Sequence, residues 1–325
     1  MFEFGGMVCV GWESILKPPP LAEGVTVQNE GLTALFSFCI GQSRAGTTYL
    51  YHNFLNHPGI LVPTRKESNY LGINYDKGLP WLLNQYTPYR NDESVLMDIS
   101  GMYFMEPEII DRINEFNSDA KVILGFREPV SWISSLYRQY ERSFEIPPLW
   151  EFISGFELER EGEVVPINLS PGSIKSRIDD FSEAFGSRLL IFDFAILKDD
   201  PLGLMRAIES HLGVSSWFNQ ENIVRKRVNA WDRKGNLAIE RTLKKGNIAN
   251  SIVKLLPRNL LLRIRRRLEI KKAPTSTESH KDAQTTFDSS EIGEIEERYQ
   301  EDIGYYHSMF RHGKTVFGNS GVLHE

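Results

Sequence analysis

The stretch CIGQSRAGTTYLYHNFLNHPG, Cys39 to Gly59, decides the fold. An apolar run, Leu35 to Ile40, ends at a glycine loop, Gly41 to Gly46, and Thr47 and Thr48 then open a segment with helical patterning. A strand, a glycine loop and a helix in that order make a phosphate cradle. Glycines let backbone N–H groups approach an anion, and the helix N-terminus adds partial positive charge. Gly41, Gln42, Ser43, Arg44, Ala45, Gly46, Thr47 and Thr48 are the candidate residues. The P-loop of triphosphate-binding proteins reads G-x-x-x-x-G-K-[ST], whereas here Thr47 stands at the lysine position. The only cation within the loop is Arg44, a rigid fork of donors suited to a phosphate or sulfate oxygen. The expected ligand is therefore anionic, and a magnesium triphosphate is disfavoured. A lone glycine loop after a strand is also what an ordinary tight turn requires. The added Arg-x-Gly-Thr-Thr between strand and helix is what favours a phosphate site.

Outward from this stretch, Ser94 to Ile99, Lys121 to Phe126 and Arg188 to Phe194 are further short apolar or β-branched runs, and the first strand is expected from Leu32 to Ile40. Helical patterns cover Thr47 to Asn56, Pro107 to Asn117, Val130 to Arg142, Ile174 to Phe185 and Pro201 to Leu212. Alternation of strand and helix predicts an α/β fold, a P-loop-like three-layer arrangement with a central parallel sheet flanked by helices. In such sheets ligands bind beyond the carboxyl ends of the strands, so the glycine loop and the "REP" after KVILGF should face one crevice.

The chain of 325 residues divides by composition. Residues 1–30, with Pro18-Pro19-Pro20, read as an N-terminal extension, 31–235 as the core, 236–290 as a basic helical insertion and linker, and 291–325 as a closing helix of the same domain. Net charge −6 argues against a general nucleic-acid binder and leaves room for a local basic pocket. With only two cysteines, Cys9 and Cys39, there is no disulfide framework and no zinc spacing, so no metal is expected. No apolar run approaches the ~18 residues that span a bilayer, and the N-terminus lacks a basic n-region. These features lead to the expectation of a soluble, cytoplasmic protein. The basic, leucine-rich segment Val253 to Lys272 reads equally as a peripheral contact with a membrane or an acidic glycan and as a surface helix covering the core.

A second constellation lies in KVILGFREPVSWISSLYRQY: Arg127 at a strand end, Pro129 where a helix can start, and Ser135 eight positions after Arg127. Both Arg127 and Ser135 can donate to one phosphate. Taken with GQSRAGTT about 80 residues earlier, the pair resembles the cofactor-binding elements of the sulfotransferase superfamily, which uses 3′-phosphoadenosine 5′-phosphosulfate (PAPS). The resemblance extends through PGSIKSRIDDFSEAFGSRLLIFDFAILKDDPLGLMRAIESHLGV, Pro171 to Val214. It implies that the glycine loop holds the 5′-phosphosulfate and that Arg127 and Ser135 hold the 3′-phosphate. A phosphosulfate needs neither the triphosphate lysine nor magnesium, which accounts for Thr47. Many members have Lys where this chain has Arg44, and an arginine there neutralises charge without serving as a proton donor.

The Lys66-Glu67 pair in PTRKESNYLGI resembles that of the heparan-type carbohydrate sulfotransferases. The resemblance implies that Glu67 is the general base and that Lys66, with Arg44, steadies charge on the transferring sulfuryl group. An acceptor attacking sulfur in line needs such a base and such cations. The acceptor implied is a hydroxyl, favoured as that of a glycan. A lysine beside a glutamate is otherwise an ordinary solvated pair. His52 and His57, the alternative bases, rank below Glu67. Arg233, Lys234 and Gly235 resemble the family's loop over the 3′-phosphate, with Arg225, Lys226 and Arg227 as alternatives and a solvated basic loop as the plain reading. Two other functions compete: a P-loop kinase using Mg-ATP, for which Asp193 resembles a Walker B acid, and a non-catalytic nucleotide-binding protein of the same fold.

Overall fold

The computed structural model describes residues 35–64, 66–86, 94–141, 146–160, 163–224, 287, 289–310 and 316–317. In chain order the elements are β1 (Phe36–Gly41), α1 (Thr47–Phe54), β2 (Ile60–Leu61), α2 (Gly78–Asn84), β3 (Val95–Ile99), α3 (Ile109–Phe116), β4 (Val122–Phe126) and α4 (Pro129–Glu141). They continue with α5 (Leu149–Ser154), β5 (Phe156–Arg160), β6 (Glu163–Ile167), α6 (Ser173–Phe185), β7 (Leu189–Asp193), α7 (Ile196–Asp199), α8 (Pro201–Leu212), α9 (Ser289–Arg298), α10 (Gln300–Met309) and β8 (Val316–Phe317).

Five strands, in the order β2-β3-β1-β4-β7, run parallel, and β8 joins the edge antiparallel to β7. Each is buried on both sides, as the uninterrupted apolar runs require. Period-two alternation splits the core. Phe36, Phe38 and Ile40 of β1, Val122, Leu124 and Phe126 of β4, and Leu189 and Ile191 of β7 face one layer of helices. Cys39, Ile123, Leu190 and Phe192 face the other, with Val95, Met97 and Ile99 of β3. Burial pushes the Cys39 thiol up to about 12, which leaves it a small apolar side chain. This is the three-layer α/β architecture expected from the strand–helix alternation.

The order places β1 between β3 and β4, so the chain leaves β1 in one direction for β2 and β3 and returns past it to β4. That reversal opens a crevice at the carboxyl ends of β1 and β4. Gly125 lies in β4 because the loop after β1 crosses it: a Cβ there would stand 2.5 Å from the Ala45 carbonyl oxygen and 2.7 Å from the Phe192 ring. The Gln42 N–H donates to the Gly125 carbonyl at 2.8 Å and locks the crossing.

Several elements exceed the sequence expectation. β2 is two residues long, too short for a periodicity, and α2, α5 and the β5–β6 hairpin lie where no motif marks them. The expected single closing helix is two, α9 and α10, which meet at Tyr299. Tyr299 and Tyr306 sit in the core, and the Tyr299 hydroxyl donates to the Leu169 carbonyl. Residues 1–34 and the basic segment 253–272 lie outside the described residues. Among the described residues no helix is long and apolar enough to cross a membrane.

Candidate active site

The loop from Gly41 to Thr48 is shaped by backbone that only some residues adopt. Gly41 (φ 133°), Arg44 (φ 69°) and Gly46 (φ 95°) have positive φ, and a side chain at Gly46 would also meet Leu197 at 2.5 Å. The loop is fastened from within. The Ser43 N–H donates to the Gly101 carbonyl at 3.1 Å and that of Ala45 to the Gln42 carbonyl at 3.0 Å. Those amides, with that of Gln42, hold the loop rather than a ligand. The amides at the start of α1, from Thr47 and Thr48, have no intrahelical carbonyl to reach and point out of the helix end. Gln42, expected in the cradle, is fully buried and works from behind it, its Oε1 accepting from the Arg127 N–H at 3.1 Å.

The second constellation meets the first. Arg127 leaves the end of β4, stacks its guanidinium 4.8 Å over the Phe194 ring, and donates from Nη1 to the Arg44 carbonyl at 3.1 Å. Arg44 in turn donates from Nε to Ser135 Oγ at 3.1 Å, and the Trp132 indole donates to the Ser43 carbonyl at 2.8 Å. Arg127 and Ser135 therefore converge on the glycine loop through Arg44, instead of forming a separate pair. The result is one cationic corner at the carboxyl ends of β1 and β4.

Lys66 and Glu67 lie on the segment that follows β2. Lys66 Nζ donates to Glu67 Oε1 at 2.9 Å, with 14% and 20% of the side chains exposed, so the pair is half-buried rather than a solvated surface contact. Gly101 locates it. A Cβ built on Gly101 would stand 3.3 Å from Glu67 Oε1 and 3.0 Å from Ser43 Cα. The carboxylate and the glycine loop thus close on the same point from two sides. Acid, lysine and glycine loop are brought together at this point.

Parts of the chain are similar in sequence to known sulfotransferases. A mouse bifunctional heparan sulfate N-deacetylase/N-sulfotransferase 4 is 31% identical over 196 residues, covering 55% of this chain and 22% of that protein. The human heparan sulfate glucosamine 3-O-sulfotransferase 3B1 is 31% identical over 179 residues, 54% of this chain and 45% of that protein. Over these stretches the chain is similar to sulfotransferases. It spans less than half the length of either relative. No family model matches it. Among solved structures, a sulfotransferase from Alicyclobacillus acidocaldarius is 19% identical with a TM-score of 0.46, covering 68% of this chain and 93% of that one, below the level at which a common fold is inferred.

The competing acids and bases have structural employment. Asp193 accepts from the Ala195 N–H at 2.9 Å and from the Tyr306 hydroxyl at 2.8 Å, tying the last helices to the sheet. His57 is buried with Glu209, its Nε2 3.2 Å from Oε1, while its Nδ1 accepts from the Gly59 N–H at 3.0 Å. That acceptance fixes the proton on Nε2 and a neutral ring. His52 packs edge-on to Tyr51 on α1. Arg233, Lys234 and Gly235, and the alternatives Arg225, Lys226 and Arg227, lie outside the described residues.

Sequence reading missed the residues behind the site: Ser68, Asp98, Ser100, Gly101, Tyr103 and Trp132. Asp98 carried a signal, a single acid inside the apolar run SVLMDI. It is fully buried, and both oxygens accept from Ser68 Oγ at 2.7 and 2.8 Å. Burial pushes its carboxyl up to about 6, against the lowering effect of hydrogen bonds from Tyr103 and Ser68 and with a further rise from the Glu67 charge.

Proposed function

We propose that this protein transfers a sulfuryl group from PAPS to a carbohydrate hydroxyl. The observation that carries this reading is the junction at Arg44, whose carbonyl takes Arg127 and whose guanidinium takes Ser135. One crevice thereby offers cations to both anionic ends of a nucleotide bearing 5′- and 3′-phosphates. The first-turn amides of α1, with Gly41, Arg44 and Gly46 shaping the loop, receive the 5′-phosphosulfate. Arg127 and Ser135 receive the 3′-phosphate, and Arg233, Lys234 and Gly235 are assigned to the same end on resemblance alone. PAPS supplies an activated sulfuryl group, and no metal is assigned a part.

The chain's own residues then do the following. Glu67 takes the proton from the attacking acceptor, Lys66 holds Glu67 in place and offers positive charge to the sulfuryl oxygens, and Arg44 neutralises charge on the departing phosphate. A glycan acceptor is favoured by the heparan-type relatives. Because one of them carries N-sulfotransferase in its name, an amine is the second reading of the acceptor atom. The kinase reading is not supported: Thr47 replaces the lysine, and Asp193 is held by Ala195 and Tyr306. The test is incubation with sulfur-35-labelled PAPS and a panel of desulfated glycosaminoglycans. Label on a glycan, absent with Glu67→Gln, is the expected outcome. Label on none, with no binding of the bisphosphate product, overturns the reading.

A further inference from the structure

We propose that Asp98 is a positioning residue that clamps the Lys66-Glu67 segment against the phosphate cradle. The inference rests on the sulfotransferase reading for its consequence in rate, though its geometry stands alone. Asp98 is the fourth residue of β3, one before its end, with no exposure to solvent. Its carboxylate is the acceptor for a ring of hydroxyls: Ser68 Oγ at 2.7 and 2.8 Å, Tyr103 Oη at 2.7 Å and, more weakly, Ser100 Oγ at 3.5 Å. Ser68 is the neighbour of Glu67 in sequence.

The same hydroxyls reach back to the main chain of the base segment. Ser100 Oγ accepts from the Asn69 N–H at 3.0 Å, Ser68 Oγ from that of Tyr70 at 3.1 Å, and Tyr103 Oη from that of Leu71 at 2.9 Å. Three consecutive amides after Ser68 are thus held by hydroxyls, each of which also binds Asp98. On the other side, Gly101 accepts from the cradle's Ser43 N–H at 3.1 Å. The stretch from Asp98 to Gly101 therefore sets the spacing between base and cradle, with one buried charge at its centre.

The test is sulfate transfer from PAPS to a desulfated glycosaminoglycan, beside calorimetry with 3′-phosphoadenosine 5′-phosphate and amide hydrogen exchange at Asn69, Tyr70 and Leu71, in wild type, Asp98→Asn, Ser68→Ala and Ser68→Thr. Asp98→Asn is expected to speed exchange at those three amides and to lower kcat about 10²-fold by misplacing the base. Affinity for the bisphosphate should stay within about twofold, since the donor contacts are untouched. Ser68→Ala should lower kcat in the same direction, and Ser68→Thr, which keeps the hydroxyl, should restore it. Unchanged exchange and kcat in folded Asp98→Asn overturn the proposal, as does loss of rate and bisphosphate affinity together. Wild type that neither binds the bisphosphate nor transfers sulfate defeats the sulfotransferase reading instead, while the exchange of the three amides still judges Asp98. Should Asp98→Asn fail to fold, unchanged kcat in Ser68→Ala overturns the clamp.

Discussion

The segments that follow β1 and β2 both leave the carboxyl ends of parallel strands, yet they are held by opposite means. The cradle after β1 is fixed by main chain: positive φ at Gly41, Arg44 and Gly46, and amide-to-carbonyl bonds to Gly101 and Gly125. The base segment after β2 is fixed by side chains that gather on the buried carboxylate of Asp98. A cradle for a multiply charged anion must present backbone dipoles in fixed directions, and glycine geometry provides that. A base must be placed, and a buried carboxylate that gathers the neighbouring hydroxyls does that. Donor binding and proton abstraction should therefore separate under mutation.

The largest effect expected is on Glu67→Gln, which keeps size and loses basicity. Transfer should fall about 10²- to 10⁴-fold while calorimetry finds bisphosphate affinity unchanged. A parallel loss of affinity would break the separation. Next comes Gly125→Ala on the cradle side. The added Cβ meets the Ala45 carbonyl at 2.5 Å, so urea unfolding should show about 1–3 kcal/mol of destabilisation, and bisphosphate affinity should drop with it.

A smaller effect distinguishes the base side by pH. The folded Asp98 carboxyl, at about 6, lies above its ordinary 3.8. A raised pKa contributes stability that is present below 3.8 and lost as pH rises through about 6. Asp98→Asn carries no such term. Relative to the variant, wild type should be more stable at pH 4 than at pH 7 by urea denaturation, and a gap that does not vary with pH would contradict the buried, titrating carboxylate. The smallest effect should come from Tyr306→Phe, whose side chain belongs to neither segment. Losing its bond to Asp193 at 2.8 Å should cost about 1.5 kcal/mol and leave transfer per folded molecule unchanged.

The contrast also governs what the sequence made legible. The cradle was readable because it is written in residue types with few other uses: glycines at loop positions, then Thr-Thr, after an apolar strand. Arg127 was readable from its place at a strand end. The parallel sheet followed from the apolar runs, whereas β2 and the β5–β6 hairpin are too short, or too poor in period, to register. Joining Arg44 to Ser135 needed the fold, since 91 residues separate them. The grip of Asp98 on Ser68 spans 30 residues through hydroxyls that sequence alone reads as turn formers. The reason for a glycine at position 125 inside β4, the crossing of the loop from β1, likewise needed the fold.

The most direct measurement is calorimetric titration with 3′-phosphoadenosine 5′-phosphate and, separately, with ATP and magnesium, in wild type and Arg127→Ala. The account predicts metal-independent micromolar binding of the bisphosphate, weakened about 10- to 100-fold by the loss of a charge-assisted contact, and no comparable binding of Mg-ATP. Binding of Mg-ATP alone, or bisphosphate affinity indifferent to Arg127, would contradict it.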